Sequence, residues 1–269
     1  MMMQRLLTDE MINDEQIRVS INDTVTRLVS TINAAPDVPH IVDWFFFGGS
    51  VKHTSVQGDV DVLFEVGETG GDSPAMFLAR YIELLQQSVV VTDIGATLRQ
   101  TYPTLTLTAS TLTYKIDLLF AVGVDGDPAQ VFGYDDEALV DARHHYYLMP
   151  SDATHWEATC PPLDYVLMQP HTRTLCIYVR QVKQFLSLNG IHIDGFTIES
   201  LALRSKSIDA AALLRCLIGA LRQGCIPAMY QPSRNLITDS VCASVYAALM
   251  ERLYPPLFHS IIRGGGGGS

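Results

Sequence analysis

The sequence has few positive charges and no cationic stripe. It contains 18 Lys and Arg residues against 29 Asp and Glu residues, which gives a formal net charge of −11. Its densest cationic stretch, residues 173–183, holds only three positive charges. A protein that grips a long duplex usually carries a basic stripe, so the composition argues against binding of double-stranded DNA. The composition remains compatible with binding of a small nucleotide, because a metal ion and one or two lysines can neutralise its phosphates.

Membrane-length apolar runs and paired cysteines are also missing. No apolar run approaches the length of a membrane span, and the segment MMMQRLLTDE has no apolar signal core. We therefore expect no membrane partner and a cytoplasmic location. The five cysteines form no C-x-x-C pair, which disfavours structural zinc and fits free thiols in a reducing compartment. Residues 264–269, GGGGGS, are typical of a flexible linker and are left out of the fold assignment.

Apolar patterning in the first half predicts helices packed on a mixed sheet. A long amphipathic helix is predicted over about 9–34. Its apolar stripe consists of Ile17, Ile21, Val25, Leu28 and Ile32. Strands are predicted at 41–47 and 59–66, and β-propensity indicates further strands at 89–92 and within 104–122.

Capping residues indicate where several helices begin. A short helix is predicted to start near Ser50, and a longer one is predicted after Ser73 and Pro74, ending near residue 87. Residues 151–164 are predicted to form a loop, and beyond them the sequence reads as helices, including 171–188 and two segments capped by Asp209 and Thr238. We therefore predict an α+β protein, with an α/β domain over 1–150 and a helical domain over 151–263.

Two aspartates interrupt the hydrophobic strand DVDVLFEV. Because strand residues alternate faces, Asp59 and Asp61 point one way, while Val60, Val62 and Phe64 point into the core. Adjacent carboxylates repel each other unless a cation is bound, and oxygen ligands suit Mg²⁺.

A third carboxylate, Asp117, lies in the similar segment YKIDLLFAV. If its strand lies beside the first, three carboxylates converge. Together they could hold two Mg²⁺ ions, with Mn²⁺ as an alternative, which activate a hydroxyl and stabilise a leaving pyrophosphate.

A Gly-Gly-Ser turn precedes the acidic strand. Gly48 and Gly49 would let the backbone approach a phosphate closely, and Ser50 would add a hydroxyl and an N–H group. A lone D-x-D is usually a surface pair and a lone GGS usually a turn. The ordered combination, with acids embedded in apolar strands, predicts a nucleotide site. Between the turn and the acidic strand, Lys52 and His53 either contact a substrate or face solvent, and we predict that they face solvent.

The order GGS, DVD, KID resembles the nucleotidyltransferase superfamily of DNA polymerase beta and poly(A) polymerases. The segment SVKHTSVQGDVDVLFEV after a long helix is similar to the branch of cyclic GMP-AMP synthase, oligoadenylate synthases and bacterial cyclic-oligonucleotide synthases. The resemblance implies a polymerase-beta-like core and a C-terminal helical domain that closes the active-site cleft. IYVRQVKQFLSLNGIHIDGFTIESLAL and MYQPSRNLITDSV resemble that helical domain.

The resemblance implies a role for each matching residue. Gly49 and Ser50 would form the turn that binds the triphosphate, and Asp59 and Asp61 would be metal ligands. Asp117 becomes the third acid, which helps to activate the acceptor hydroxyl. Lys183 matches a helix lysine that reaches the phosphates, although such a lysine is as often only a solvated tip.

Two departures from the family stand out. Gly195, beside Phe196, replaces a serine that is common in the family, so one phosphate contact is in doubt. The chain also has no His-Cys-Cys-Cys zinc insertion of the kind used to sense DNA, which again argues against double-stranded DNA as an activator.

The expected function is an NTP-dependent nucleotidyltransferase, using ATP or GTP and making a cyclic or short oligonucleotide signal. RNA tailing is the near alternative, and it should need a cationic track that the sequence hardly offers. A second alternative is a catalytically inactive scaffold, which commonly loses an acid, whereas this chain keeps all three. A fold whose acids bind nothing is disfavoured, because buried unpaired carboxylates are costly. Whether short RNA or another ligand activates the protein is left open.

Overall fold

A computed structural model describes residues 5–8, 11–52, 54–55, 59–101, 104–109, 114–126, 131–132, 145–168, 174–206, 209–227 and 236–253. The protein is α+β with a mixed sheet, as the sequence predicts. It divides into two compact units, Met1–Pro170 and His171–Ser269. The boundary predicted near residue 150 falls inside the sheet, because two strands on either side of it pair with each other.

The first unit begins with the predicted amphipathic helix, α1 (Glu15–Ala34). It starts later than expected, because the Asp14 carboxylate accepts a hydrogen bond from the Ile17 N–H and caps it. The predicted stripe packs inward, with four of its five members buried: Ile21, Val25, Leu28 and Ile32. The predicted Ser73 cap is also confirmed, and it starts α3 (Pro74–Gln86).

The strand predicted at 89–92 is wrong. These residues form the short helix α4 (Val89–Asp93), which the Ser88 hydroxyl caps by accepting from the Val91 N–H. Val90 and Val91 are buried in the core. Their packing and the cap outweigh the β-propensity of the three valines, which is a weak and context-dependent preference.

In the described ranges, seven strands form one mixed sheet, in the order β1-β2-β5-β4-β3, with β6 paired to the end of β5 and β7 paired to β6. Strands β2 and β5 are parallel, and the other pairs are antiparallel. The threonine-rich run predicted as strand contributes two separate strands, β4 and β5. Strands β3, β6 and β7 were not predicted. The bounds are β1 (Ile41–Phe47), β2 (Asp59–Val66), β3 (Ala96–Thr101), β4 (Thr104–Ala109), β5 (Lys115–Asp125), β6 (His145–Pro150) and β7 (Trp156–Thr159).

The two faces of the sheet differ. The helices cover one face, where a large core includes Val60, Val62, Phe64, Ile116 and Leu118. Among the described residues, the opposite face carries a smaller apolar cluster: Phe45, Leu63, Leu119, Ala121 and Tyr147. The acidic residues share this second face, beyond the end of the small cluster. Helices α2 (Gly48–Val51) and α5 (Pro161–Met168) complete the described elements of this unit.

The second unit is helical in its described parts, with α6 (Thr174–Leu188), α7 (Gly195–Ser205), α8 (Ala210–Gln223) and α9 (Asp239–Leu253). Its core lies between these helices. The predicted caps are confirmed. The Asp209 carboxylate accepts from the Ala212 N–H at 2.6 Å, and the Thr238 hydroxyl accepts from the Val241 N–H. No helix in the described part of either unit is both long enough and apolar enough to cross a bilayer.

Candidate functional site

The parallel pairing of β2 and β5 brings two predicted site carboxylates side by side. Asp61 and Asp117 are register partners, and two residues earlier on each strand Asp59 is the partner of Lys115. Because partners on neighbouring strands share a face, all four side chains project from the face opposite the main core. The apolar residues between them, Val60 and Ile116, are fully buried on the other side.

The Thr106 hydroxyl and the Lys115 ammonium are neighbours that influence the orientation and the charge of this acidic group. The Thr106 hydroxyl on β4 donates a hydrogen bond to Asp117 Oδ1 at 2.6 Å, which fixes the orientation of that carboxylate. Asp59 is exposed as a residue, but partial desolvation of its carboxyl raises its pKa, the Lys115 ammonium lowers it, and the Asp117 carboxylate raises it again, with a net upward shift. The site therefore concentrates negative charge that a cation would neutralise.

The glycine turn lies against the same acids. Gly48 begins α2 with a φ of +72°, a backbone conformation that L side chains rarely adopt. A Cβ atom at this position would lie 1.8 Å from Asp61 Oδ2. The absent side chain of Gly48 is therefore the space that the Asp61 carboxylate occupies, so turn and acid are parts of one arrangement.

Ser50 and Gly49 serve the turn itself. The Ser50 hydroxyl is buried and donates to the backbone oxygen of Asp59 at 2.6 Å, so it ties the turn to the acidic strand. The Gly49 carbonyl accepts from the N–H groups of Thr54 and Ser55. The sequence assigned Ser50 to phosphate contact, whereas in this structure its hydroxyl is engaged within the protein.

Lys52 follows the turn and corrects one prediction. The sequence predicted a solvent-facing residue, but Lys52 is only 6% exposed. Burial next to the turn makes Lys52 a candidate site residue, which is the alternative that the sequence left open but did not favour. No periodicity signal could have found it, because it lies in a short connection. His53 lies outside the described residues.

Lys183 lies in the second unit and is already paired. Its ammonium contacts Glu199 Oε1 at 2.8 Å, with side-chain exposures of 16% for Lys183 and 2% for Glu199. A Cβ atom at Gly195 would come within 2.7 Å of Lys183 Nζ. The glycine that departs from the family serine thus makes room for this ammonium. Glu199 gave no signal in the sequence, because a single acid on an amphipathic helix looks like a solvated residue.

The donor atoms suit a hard divalent cation, although the acids are not gathered into one cluster. Within the described ranges, no group of three or more His, Cys, Asp or Glu side chains lies close enough to hold one metal ion. Asp61 and Asp117 are adjacent, and Asp59 starts the same strand roughly 7 Å from Asp61. Asp59 is exposed, so its side chain has room to rotate. All three residues supply carboxylate oxygens, which are ligands that Mg²⁺ and Mn²⁺ accept.

Comparison with known proteins adds no family assignment. No protein-family model matches the chain, and no curated protein matches it. The interpretation of the site therefore rests on its residues and on the sequence resemblance.

Proposed function

We propose that this protein is a Mg²⁺-dependent nucleotidyltransferase, which transfers NMP from an NTP, ATP or GTP, to a hydroxyl acceptor. The products would be pyrophosphate and a cyclic or short oligonucleotide. One observation carries the proposal: Asp61 and Asp117 are register partners on parallel strands, on a face where the Gly48 turn packs directly against Asp61. The order of Gly-Ser turn, D-x-D strand and single-Asp strand, and its resemblance to the polymerase-beta-like core, support the same function.

The side chains divide the chemistry between them. Asp59, Asp61 and Asp117 would hold Mg²⁺, which supplies charge neutralisation at the phosphates and polarises the attacking hydroxyl. Asp61 is fixed in place by the Gly48 turn. The Thr106 hydroxyl donates a hydrogen bond to Asp117 Oδ1 and so orients that carboxylate, whose remaining lone pairs stay available for a metal ion and for the proton of the acceptor hydroxyl.

The transfer step balances as a displacement at phosphorus. The acceptor hydroxyl oxygen forms a bond to the α-phosphorus, and its proton passes to the Asp117 carboxylate. The bond from the α-phosphorus to the bridging oxygen breaks, and pyrophosphate leaves with that electron pair. Positioning and charge stabilisation are the main contributions that a protein makes to such a step.

The test is incubation of the purified protein with each labelled NTP and Mg²⁺, with and without RNA, followed by mass spectrometry of the products. We expect nucleotide products without RNA. Asp61→Asn should lower turnover at least about a hundredfold, as loss of one key electrostatic group typically does. The matched control is Asp37→Asn, which makes the same change at an exposed residue of the first unit that contributes to no described site and should keep wild-type turnover.

Two outcomes would replace the proposal. Labelled product that forms only when RNA is present would identify the tailing alternative. No turnover with any NTP, with Mg²⁺ or with Mn²⁺, would overturn the enzyme proposal. In that case a biological effect that survives Asp61→Asn would identify a scaffold.

A further inference from the structure

A row of side chains crosses the sheet from the acids to its far edge. Register pairs place Asp61 beside Asp117, Asp117 beside Thr106, and Thr106 beside Arg99. The hydrogen bond from Thr106 to Asp117 is the direct contact within this row. Because register partners share a face, Arg99 on β3 projects from the same face as the two acids.

A second row runs parallel to the first on the same face, two residues away along each strand. It joins Asp59 to Lys115, Lys115 to Thr108 and Thr108 to Thr97. Thr97, Thr108 and Arg99 are exposed. On the opposite side of the same strands, Leu105 and Leu107 are fully buried in the main core. The face beyond the acids is therefore polar, and the other face of the same strands packs in the main core.

Arg99 is the cation at the end of the first row, on the edge strand β3. Arg99 and Asp117 are two strand spacings apart, so their Cα atoms lie roughly 10 Å from each other. The arginine side chain is long enough for its guanidinium to reach about half of that distance towards Asp117. Arg99 forms no ion pair with any residue that the structure describes. An exposed guanidinium beside hydroxyls is suited to bidentate binding of a phosphate.

We propose that the strip formed by Thr97, Arg99, Thr106 and Thr108 is the subsite for the acceptor, and that Arg99 binds a phosphate of that acceptor. This inference rests on the proposed function for its meaning in catalysis. The Gly48 turn packs on the β1 side of the acids, and the strip extends on the β4 and β3 side. If the donor NTP binds at the Gly48 turn, the strip stays open to a second, phosphorylated nucleotide. The hydroxyl of that acceptor would lie over the acids.

The consequence is a preference among acceptors. A neutral hydroxyl compound would gain nothing from Arg99, whereas a 5′-phosphorylated nucleotide would gain a charge-assisted contact. The acceptor class is therefore a phosphorylated nucleotide or oligonucleotide.

A binding experiment tests this without requiring turnover. Calorimetric titration would compare 5′-phosphorylated dinucleotides with the same dinucleotides lacking that phosphate, for each of the four bases, in the presence of Mg²⁺. We expect the wild type to bind at least one phosphorylated form about tenfold more tightly than its unphosphorylated match. Arg99→Gln should abolish that advantage, and Arg99→Lys should keep part of it because the charge remains.

Arg215→Gln is the matched control, because Arg215 is an exposed arginine on α8 in the second unit. It should keep the full advantage. Equal affinity of the wild type for both forms would overturn the proposal, as would an unchanged advantage in Arg99→Gln. Absence of NTP turnover would count against the proposed function only, since the titration measures phosphate recognition directly.

Discussion

Replacement of Gly48 by alanine tests whether the turn and the acidic strand form one arrangement. The added Cβ would meet Asp61 Oδ2 at 1.8 Å and Asp61 Cγ at 2.6 Å, so the carboxylate or the turn has to move. The left-handed φ of +72° adds about 1–2 kcal/mol for a residue with a side chain. Displacement of a packed neighbour adds about 1–3 kcal/mol. We therefore expect Gly48→Ala to lower the free energy of unfolding by about 2–5 kcal/mol.

Gly70→Ala separates the two contributions. Gly70 has a similar φ of +63°, but a Cβ there would meet no atom within 4 Å. It should cost only the conformational part, about 1–2 kcal/mol. In the Gly48→Ala background, Asp61→Ala removes the two atoms that clash most severely. The double-mutant cycle should therefore give a favourable coupling energy of about 1–3 kcal/mol.

Urea unfolding followed by tryptophan fluorescence is the appropriate assay. The chain has two tryptophans, Trp44 and Trp156, and both lie in the first unit. The signal therefore reports on the unit that contains the site. Equal losses of stability in Gly48→Ala and Gly70→Ala would refute the reasoning, as would a coupling energy near zero.

Two further predictions concern Lys183, whose side chain is partly exposed, and Lys52, which is buried. Lys183→Met leaves the Glu199 carboxylate buried without its ammonium, so urea unfolding followed by circular dichroism should show a loss of about 3 kcal/mol. The double variant with Glu199→Met should recover most of it, and no recovery would contradict a direct pair. Lys52→Met keeps the apolar stem of a buried lysine that interacts with other groups of the protein. It should cost about 1–3 kcal/mol, whereas the exposed Lys115→Met should change stability by only about 0.5 kcal/mol. Equally small losses of stability in Lys52→Met and Lys115→Met would contradict the burial of Lys52.

Local signals in the sequence predicted much of the fold. The period of α1 and the caps at Ser73, Asp209 and Thr238 are confirmed, because a cap needs only a side chain and an N–H group three residues away. The outward direction of Asp59 and Asp61 also follows from strand alternation alone.

Other features depended on distant parts of the chain. The valines at 89–92 became helix because of core packing and the Ser88 cap. Strand β6 ends at residue 150, and β7 extends the sheet beyond it, where the sequence predicted a loop. Pairing partners far apart in the chain decide such strands, and no local pattern contains that information.

The sequence by itself determined that Asp59, Asp61 and Asp117 lie in apolar strands after a Gly-Gly-Ser turn, because residue type and alternation are local properties. Only the tertiary structure decided that Asp61 and Asp117 are neighbours and that Gly48 leaves the space for Asp61. It also decided that Arg99 belongs to their row. The physical reason is that register between strands is set by long-range hydrogen bonding and burial of one face, which joins residues that the sequence keeps far apart.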